Sequence, residues 1–185
     1  MDTKEKLSST TIWLHWIVAI LMIFMTAAGI YIDNFEAEML FDIHTSLGVL
    51  ILVAVIPRVI WRYKHGWPVA VGNYTRVEHI GGKVVHWTLI LATLLMPLSG
   101  ILMAVAGGHG LHIFELELLA ETPDPANPDE ALALSPALAE VGSAIHGLFG
   151  KVLPIAIVLH IVGALKHHLI DKDETLRRML GLQPR

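Results

Sequence analysis

The chain has 185 residues, of which 54% are hydrophobic and 16% charged, and its mean hydropathy is +0.60; that balance excludes a soluble globule of this length. With no cysteine, a disulfide scaffold, a thiolate metal site, an iron–sulfur cluster and thioether-linked haem are excluded together. Eleven histidines are the anomaly, since a membrane-like composition ordinarily keeps ionisable side chains scarce.

Residues 11–32 read TIWLHWIVAILMIFMTAAGIYI, long enough at about 1.5 Å per residue to cross about 30 Å of hydrocarbon. His15 is the only Asp, Glu, Lys, Arg or His among them. This stretch is too long for the apolar region of a cleaved leader, so it is expected to be retained. A second span covers about 43–63, apolar to Pro57 and then joined by Arg58 and Arg62, whose stems reach an interface. A third covers about 84–106 with His86 and Pro97, and a fourth about 144–168 with Lys151, Pro154 and two deep histidines. Ser135 and Pro136 upstream suit an N-cap and first helical position, so the last helix is expected to begin outside the bilayer. The internal prolines are tolerated because neighbouring helices satisfy the freed carbonyls.

The basic residues Lys4, Lys6, Arg58, Arg62, Lys64, Arg76, Lys83, Lys166, Lys172, Arg177, Arg178 and Arg185 lie in the N-terminus, the second loop and the tail, and only Lys151 does not. The loops 33–42 and 107–143 hold neither Lys nor Arg, so the positive-inside rule places both termini in the cytoplasm. The outer side is acidic, with Asp33, Glu36, Glu38 and Asp42 in one loop and Glu115, Glu117, Glu121, Asp124, Asp129, Glu130 and Glu140 in the other. That field favours a cationic or neutral partner and repels anions. Within the long outer loop 107–143, a short helix is expected at about 111–119, followed by the turn-rich TPDPANPDE. No Walker or Rossmann phosphate loop is present, and nothing points to nucleic acid.

Alternating helix direction turns the histidines into a geometry. His44 and His146 open the second and fourth helices near the outer surface, while His15 and His160 lie near the cytoplasmic ends of the first and fourth. His146 and His160 are 14 residues apart, which at about 100° and 1.5 Å per residue puts both rings within about 40° of one face and about 21 Å apart. His167 continues the stripe one heptad on. Two nitrogens from facing helices at each of two depths suit bis-histidyl haem, which leaves no open coordination position and favours outer-sphere electron transfer. Gly48, Gly147, Gly150 and Gly163 beside these ligands would admit a macrocycle. A zinc or copper transporter is the rival, but imidazole-only sites without carboxylates at the same depth suit it less well. His65, His79, His109, His112 and His168 read as solvated side chains. His86, His167, Arg58, Arg62 and Lys83 gather near the cytoplasmic surface, where they would anchor haem propionates, bind or protonate a quinone, or, for the three cations, serve only as topology anchors. His86 is also a spare candidate ligand for the inner haem, and Lys151 stands near His146, to pair with an outer propionate or snorkel outward.

The segments LHW at 14–16, IHTSLGVLIL from Ile43, PRVIWR from Pro57, MPLSGILM from Met96, IHGLFGKVLPIAIVLH from Ile145 and ALKHHLIDKDETLRRML ending at Leu180 resemble the bacterial cytochrome b561 family of di-haem membrane cytochromes. The resemblance covers nearly the whole chain and implies a single all-α membrane domain over 1–185, a four-transmembrane-helix bundle in the bacterial inner membrane enclosing two b haems. It implies His15 and His160 as inner ligands, His44 and His146 as outer ones, and a quinone such as ubiquinone near His86 and His167. The expected function is single-electron transfer between a periplasmic-side donor and that quinone. Oxidation of superoxide with quinone as acceptor, and service as an electron-relaying anchor for a periplasmic redox enzyme, are the alternatives.

Overall fold

The computed structural model describes residues 2–183 except Lys4, Glu36, Asn73 and Asp129. Lys4, Glu36, Asp129 and Arg185 of the charge pattern above lie outside the described residues. Helix α1 runs Ser9–Phe35, α2 Glu38–Leu50, α3 Leu52–His65, α4 Arg76–Ala106, α5 Pro136–Leu169 and α6 Thr175–Met179, with a hairpin of β1 (Leu111–Ile113) and β2 (Leu116–Leu119) between α4 and α5. Four stretches are long and apolar enough to cross a membrane: Ser9–Phe35, Met39–His65, Arg76–Ala106 and Pro136–Leu169. The chain is thus an all-helical membrane bundle with one small extramembrane hairpin.

The second stretch comprises α2 and α3, which meet at Ile51. Pro57 has no N–H for the Val53 carbonyl and crowds it, which weakens the ladder just beyond that junction. Helix α4 starts two turns before the apolar run, because Thr75 and Glu78 form a capping box: Thr75 Oγ1 accepts from the Glu78 amide at 3.3 Å and Glu78 Oε2 accepts from the Thr75 amide at 2.7 Å. Helix α5 begins at Pro136 behind Ser135, as the sequence suggests, although the Ser135 side chain makes no capping bond. Its amide instead donates to the Ala106 carbonyl at 2.9 Å, tying the end of α4 to the start of α5.

Helices α4 and α5 pack most extensively, α1 lies against α2, α3 and α5, and α2 and α3 also lie against α4. The chain therefore closes a ring of four spans. Helices α4 and α5 approach closely at Gly142, where an added Cβ would stand 2.8 Å from the Met103 amide nitrogen and 3.0 Å from the Ser99 carbonyl oxygen. Val18, Met22, Met25, Ile51, Val55, Ala92 and Leu153 form the buried centre. The large apolar side chains left exposed around it, such as Ile20, Val53 and Ile155, are what a lipid-facing surface requires.

The helix expected at 111–119 is instead the hairpin. Its two strands pair Ile113 with Leu116 and His112 with Glu117, and Phe114, first of the two loop residues, takes φ 52, the conformation that short hairpin loops require. The Phe114 amide donates at 2.7 Å to Ser46 Oγ on α2, and Ser46 is only 2% exposed. A tertiary anchor, invisible to local periodicity, therefore selects strand over helix. Gly108 at φ 85 makes the turn from α4 into this insert, with the Leu132 carbonyl oxygen 2.2 Å from where a Cβ would be, so only glycine fits.

At the opposite pole the tail folds back under the bundle. Trp16 Nε1 donates to the Met179 carbonyl at 2.7 Å, and Arg178, 5% exposed, reaches the Val69 carbonyl at 3.2 Å.

Candidate functional site

Each pole of the bundle holds one of the expected histidine pairs. At the hairpin pole, His44 from α2 and His146 from α5 face each other with ring centroids 6.3 Å apart. At the pole carrying the termini, His15 from α1 and His160 from α5 face each other at 6.0 Å. Two iron–nitrogen bonds of about 2.0 Å plus about 1.1 Å from each nitrogen to its ring centre require about 6.2 Å. Both spacings fit a metal held axially between two imidazoles. His86 on α4 also approaches His160, but at 5.2 Å, too close for both rings to flank one iron. Of the two spacings to His160, that of His15 is the one a metal between two rings requires.

The surroundings suit ligation at the hairpin pole. His146 Nδ1 lies 3.0 Å from the Met96 carbonyl oxygen and 3.2 Å from Ser99 Oγ. A proton on Nδ1 donated to that carbonyl leaves Nε2 as the free base a metal takes. Gly29 on α1 and Gly100 on α4 let the rings sit against bare backbone, since an added Cβ would be 3.3 Å from His44 and 3.4 Å from His146 respectively. The glycines that cradle the rings therefore come from the facing helices. Of those anticipated, Gly48 has Met25 for its neighbour, while Gly147, Gly150 and Gly163 face open space. His44 Nδ1 is buried without a hydrogen-bond partner.

At the other pole Arg58 Nη2 lies 3.3 Å from His15 Nδ1. A guanidinium only donates, so His15 Nδ1 accepts here and its proton sits on Nε2. Ligation through Nε2 needs the opposite tautomer and a displaced Arg58, whose fork suits a carboxylate. Arg62 donates to the Gly66 carbonyl at 2.6 Å and stands 5.7 Å from the centre of the Trp67 ring. Trp67 in turn stacks on His86 at 5.5 Å. Lys83 and Lys151 are exposed; neither touches a histidine of the two pairs among the described contacts.

His167 departs from the bundle interior into a polar cluster. Its Nδ1 is 2.7 Å from Asp171 Oδ2 and 3.7 Å from Asp173 Oδ2, and Tyr74 packs on the ring at 4.4 Å. Lys166 pairs with Glu78, and with Asp171 at 2.8 Å. The Lys166 ammonium, followed by His167, holds the Asp171 carboxyl below the usual carboxylate range. Burial pushes the Tyr74 hydroxyl up, so it stays protonated at neutral pH. Asp171 lies four residues after His167, a spacing legible in the sequence. Tyr74 and Trp67 reach the site through the fold of the 66–75 loop, which no local pattern encodes.

His109 and His112 are exposed as expected, and His65 is exposed while stacking on Trp61 at 3.8 Å. His79 lines a surface cavity beside Arg76 and Tyr74. His168 differs from the solvated reading: it is half-buried, with a buried Nδ1.

Residues 6–182 match the family described as prokaryotic cytochrome b561. Among curated relatives, cytochrome b561 homolog 2 of Escherichia coli (strain K12) is 29% identical, covering 97% of this chain and 94% of its own length. The probable superoxide oxidase CybB of Yersinia pestis is 28% identical, covering 95% and 96%. Cytochrome b561 homolog 1 of the same Escherichia coli strain is 26% identical over 95% and 97%.

Proposed function

The chain belongs to the prokaryotic cytochrome b561 family of haem-binding, electron-transferring membrane cytochromes, and from that premise we propose that it carries two b haems and passes single electrons to a quinone. The observation that supports this reading is the pair of histidine spacings, 6.0 and 6.3 Å, at opposite poles of four spans. His15 and His160 hold the inner haem, and His44 and His146 the outer one. The haem irons supply one-electron redox chemistry when bound. With two histidines at each site no position on the metal would be left open, so the chemistry it would supply is one-electron transfer. The Met96 carbonyl orients His146, while the apolar centre around Leu153 excludes water between the two sites. Arg58 would pair with an inner propionate, and Arg62 and Lys83 keep that pole positive. Lys151 would be the cation for an outer propionate.

The positive-inside pattern supports an inner-membrane protein with both termini cytoplasmic. The quinone then lies at the inner pole, where Trp67 and His86 offer an aromatic wall and His167 a proton carrier. The acidic hairpin side favours a cationic or neutral protein as donor. The printed name of the Yersinia pestis relative favours a second reading, superoxide as the donor.

Ubiquinone-1 added to the dithionite-reduced, desalted protein in nanodiscs is expected to reoxidise the haem, at least about tenfold more slowly in His167→Ala. Haem that stays reduced in the parent would contradict the quinone reading. Superoxide and a reduced basic cytochrome, offered separately to the oxidised protein, distinguish the two donors by which one reduces the haem.

A further inference from the structure

The polar cluster around the end of α5 has the donor set of a metal site. His167 Nδ1, Asp171 Oδ2 and Asp173 Oδ2 all lie within 4.8 Å of one another, with His167 Nδ1 2.7 Å from Asp171 and 3.7 Å from Asp173. Bonds of about 2.0–2.2 Å from a tetrahedral zinc to nitrogen and oxygen place its ligand atoms about 3.4 Å apart. The two observed distances bracket that value, so an ion enters by widening one contact and closing the other. One imidazole nitrogen with two carboxylate oxygens suits zinc better than magnesium or calcium, which take oxygen ligands.

The chain holds these groups ready. Asp171 follows His167 by four residues, about one helical turn. Lys172, between the two aspartates, takes φ 54, a left-handed conformation uncommon outside glycine, and the bend it makes brings both carboxylates to one ring. Asp173 is fixed before any ion arrives: Oδ1 accepts the Thr175 amide at 2.8 Å, Oδ2 accepts the Tyr74 hydroxyl at 2.7 Å, and the side chain is 9% exposed. Hydrogen bonds of this kind orient a ligating carboxylate. Asp171 and His167 remain partly open to water, which supplies the entry path a metal needs. Lys166 shares Asp171 Oδ2 at 2.8 Å but also pairs with Glu78, so it keeps a carboxylate partner when an ion takes Asp171.

We propose that His167, Asp171 and Asp173 bind one Zn²⁺ ion and that the ion, on the quinone reading above, stops His167 from delivering protons to the quinone. In the metal-free protein, Nδ1 carries the proton that it donates to Asp171. Zinc takes the Nδ1 lone pair, and the displaced proton moves to Nε2 of a neutral ring or to water from a charged one. Water completes the tetrahedron, and no electron is transferred. The zinc-bound ring keeps one proton on Nε2 and has no free nitrogen through which to be recharged, so it no longer cycles. His167 lies seven residues beyond His160, about 10 Å along α5, so zinc there leaves the inner histidine pair in place.

The test uses full-length, tag-free protein in nanodiscs, dialysed against zinc chloride, with bound metal measured by mass spectrometry. The parent is expected to hold about one zinc ion per chain, and Asp171→Asn and Asp173→Asn to bind it at least about tenfold more weakly. Asparagine at position 173 keeps the bond to the Thr175 amide, since Asn caps as well as Asp, and a parent-like reduced-minus-oxidised spectrum reports that each variant is folded. His79→Gln removes an exposed histidine near Tyr74 and should bind zinc as the parent does. Haem reoxidation by ubiquinone-1 is expected to slow at least about tenfold in the zinc-saturated parent and to recover with EDTA, while Asp173→Asn keeps its own rate at the same zinc concentration. Absence of stoichiometric zinc in the parent, or undiminished binding in both aspartate variants, would overturn the site. Zinc that binds and leaves reoxidation unchanged would overturn its control over the quinone. A parent that quinone does not reoxidise would remove the quinone reading, and the dialysis would still decide whether the metal site exists.

Discussion

Replacing His15 by alanine is expected to reduce the haem content of the purified protein from two to one, whereas His86→Ala keeps both haems. The contrast follows from ring spacing. The rings of His15 and His160 stand 6.0 Å apart, close to the roughly 6.2 Å that two metal–nitrogen bonds and two ring radii require. His86 is 5.2 Å from His160 and stacks on Trp67 at 5.5 Å, so it is held in place by a partner other than iron. Pulling it into the vacant axial position would cost that stack and shift α4. The remaining haem in His15→Ala should have the spectrum of the His44 and His146 site and keep its bis-histidyl character. Pyridine haemochrome analysis against protein concentration, with a low-temperature reduced-minus-oxidised spectrum, reads both outcomes. Equal haem loss in the two variants would show that His86 shares in ligation.

Gly142→Val should sharply destabilise the seam between α4 and α5. The first added carbon already lies 2.8 Å from the Met103 amide nitrogen and 3.1 Å from its Cα, and backbone cannot rotate away as a side chain would. Overpacking of this kind costs about 1–3 kcal/mol where the structure can relax, and two further methyl groups leave α4 and α5 no option but to separate. His146 lies one turn beyond Gly142 and its Nδ1 leans on the Met96 carbonyl across the same seam. Outer haem should therefore be lost before inner haem as temperature rises. Gly81→Val is the matched control, because nothing lies within 4 Å of a Cβ there. Thermal melts followed at the haem absorbance and by tryptophan fluorescence should show a melting temperature lowered by several degrees for Gly142→Val alone; equal melts would contradict the close approach.

The four spans and the matched depths of the two histidine pairs were legible in the sequence for one reason. Hydropathy counts residues across a bilayer, and the helical repeat then assigns each residue a height and a face. His146 and His160 needed nothing more. Interactions between elements escape that logic. The segment from Leu111 to Leu119 carries leucines that suit a helix, but Ser46 on a distant helix captures the Phe114 amide and makes a hairpin the better solution. The glycines against which the rings rest, Gly29 and Gly100, belong to the facing helices, too far from His44 and His146 in sequence for a local pattern to mark them. The capping box at Thr75 and Glu78 was local and readable, yet it lies before the apolar run and so outside a search guided by hydropathy. Trp67 and Tyr74 arrive through a loop fold that no periodicity describes.

Two haems held by two histidine pairs are tested most directly by the haem-to-protein ratio of the detergent-purified chain, taken beside His44→Ala and His160→Ala. Two b haems in the parent, with each variant losing one haem and the two residual spectra differing, is the predicted result. A single haem in the parent, or well-folded protein with none, would contradict it.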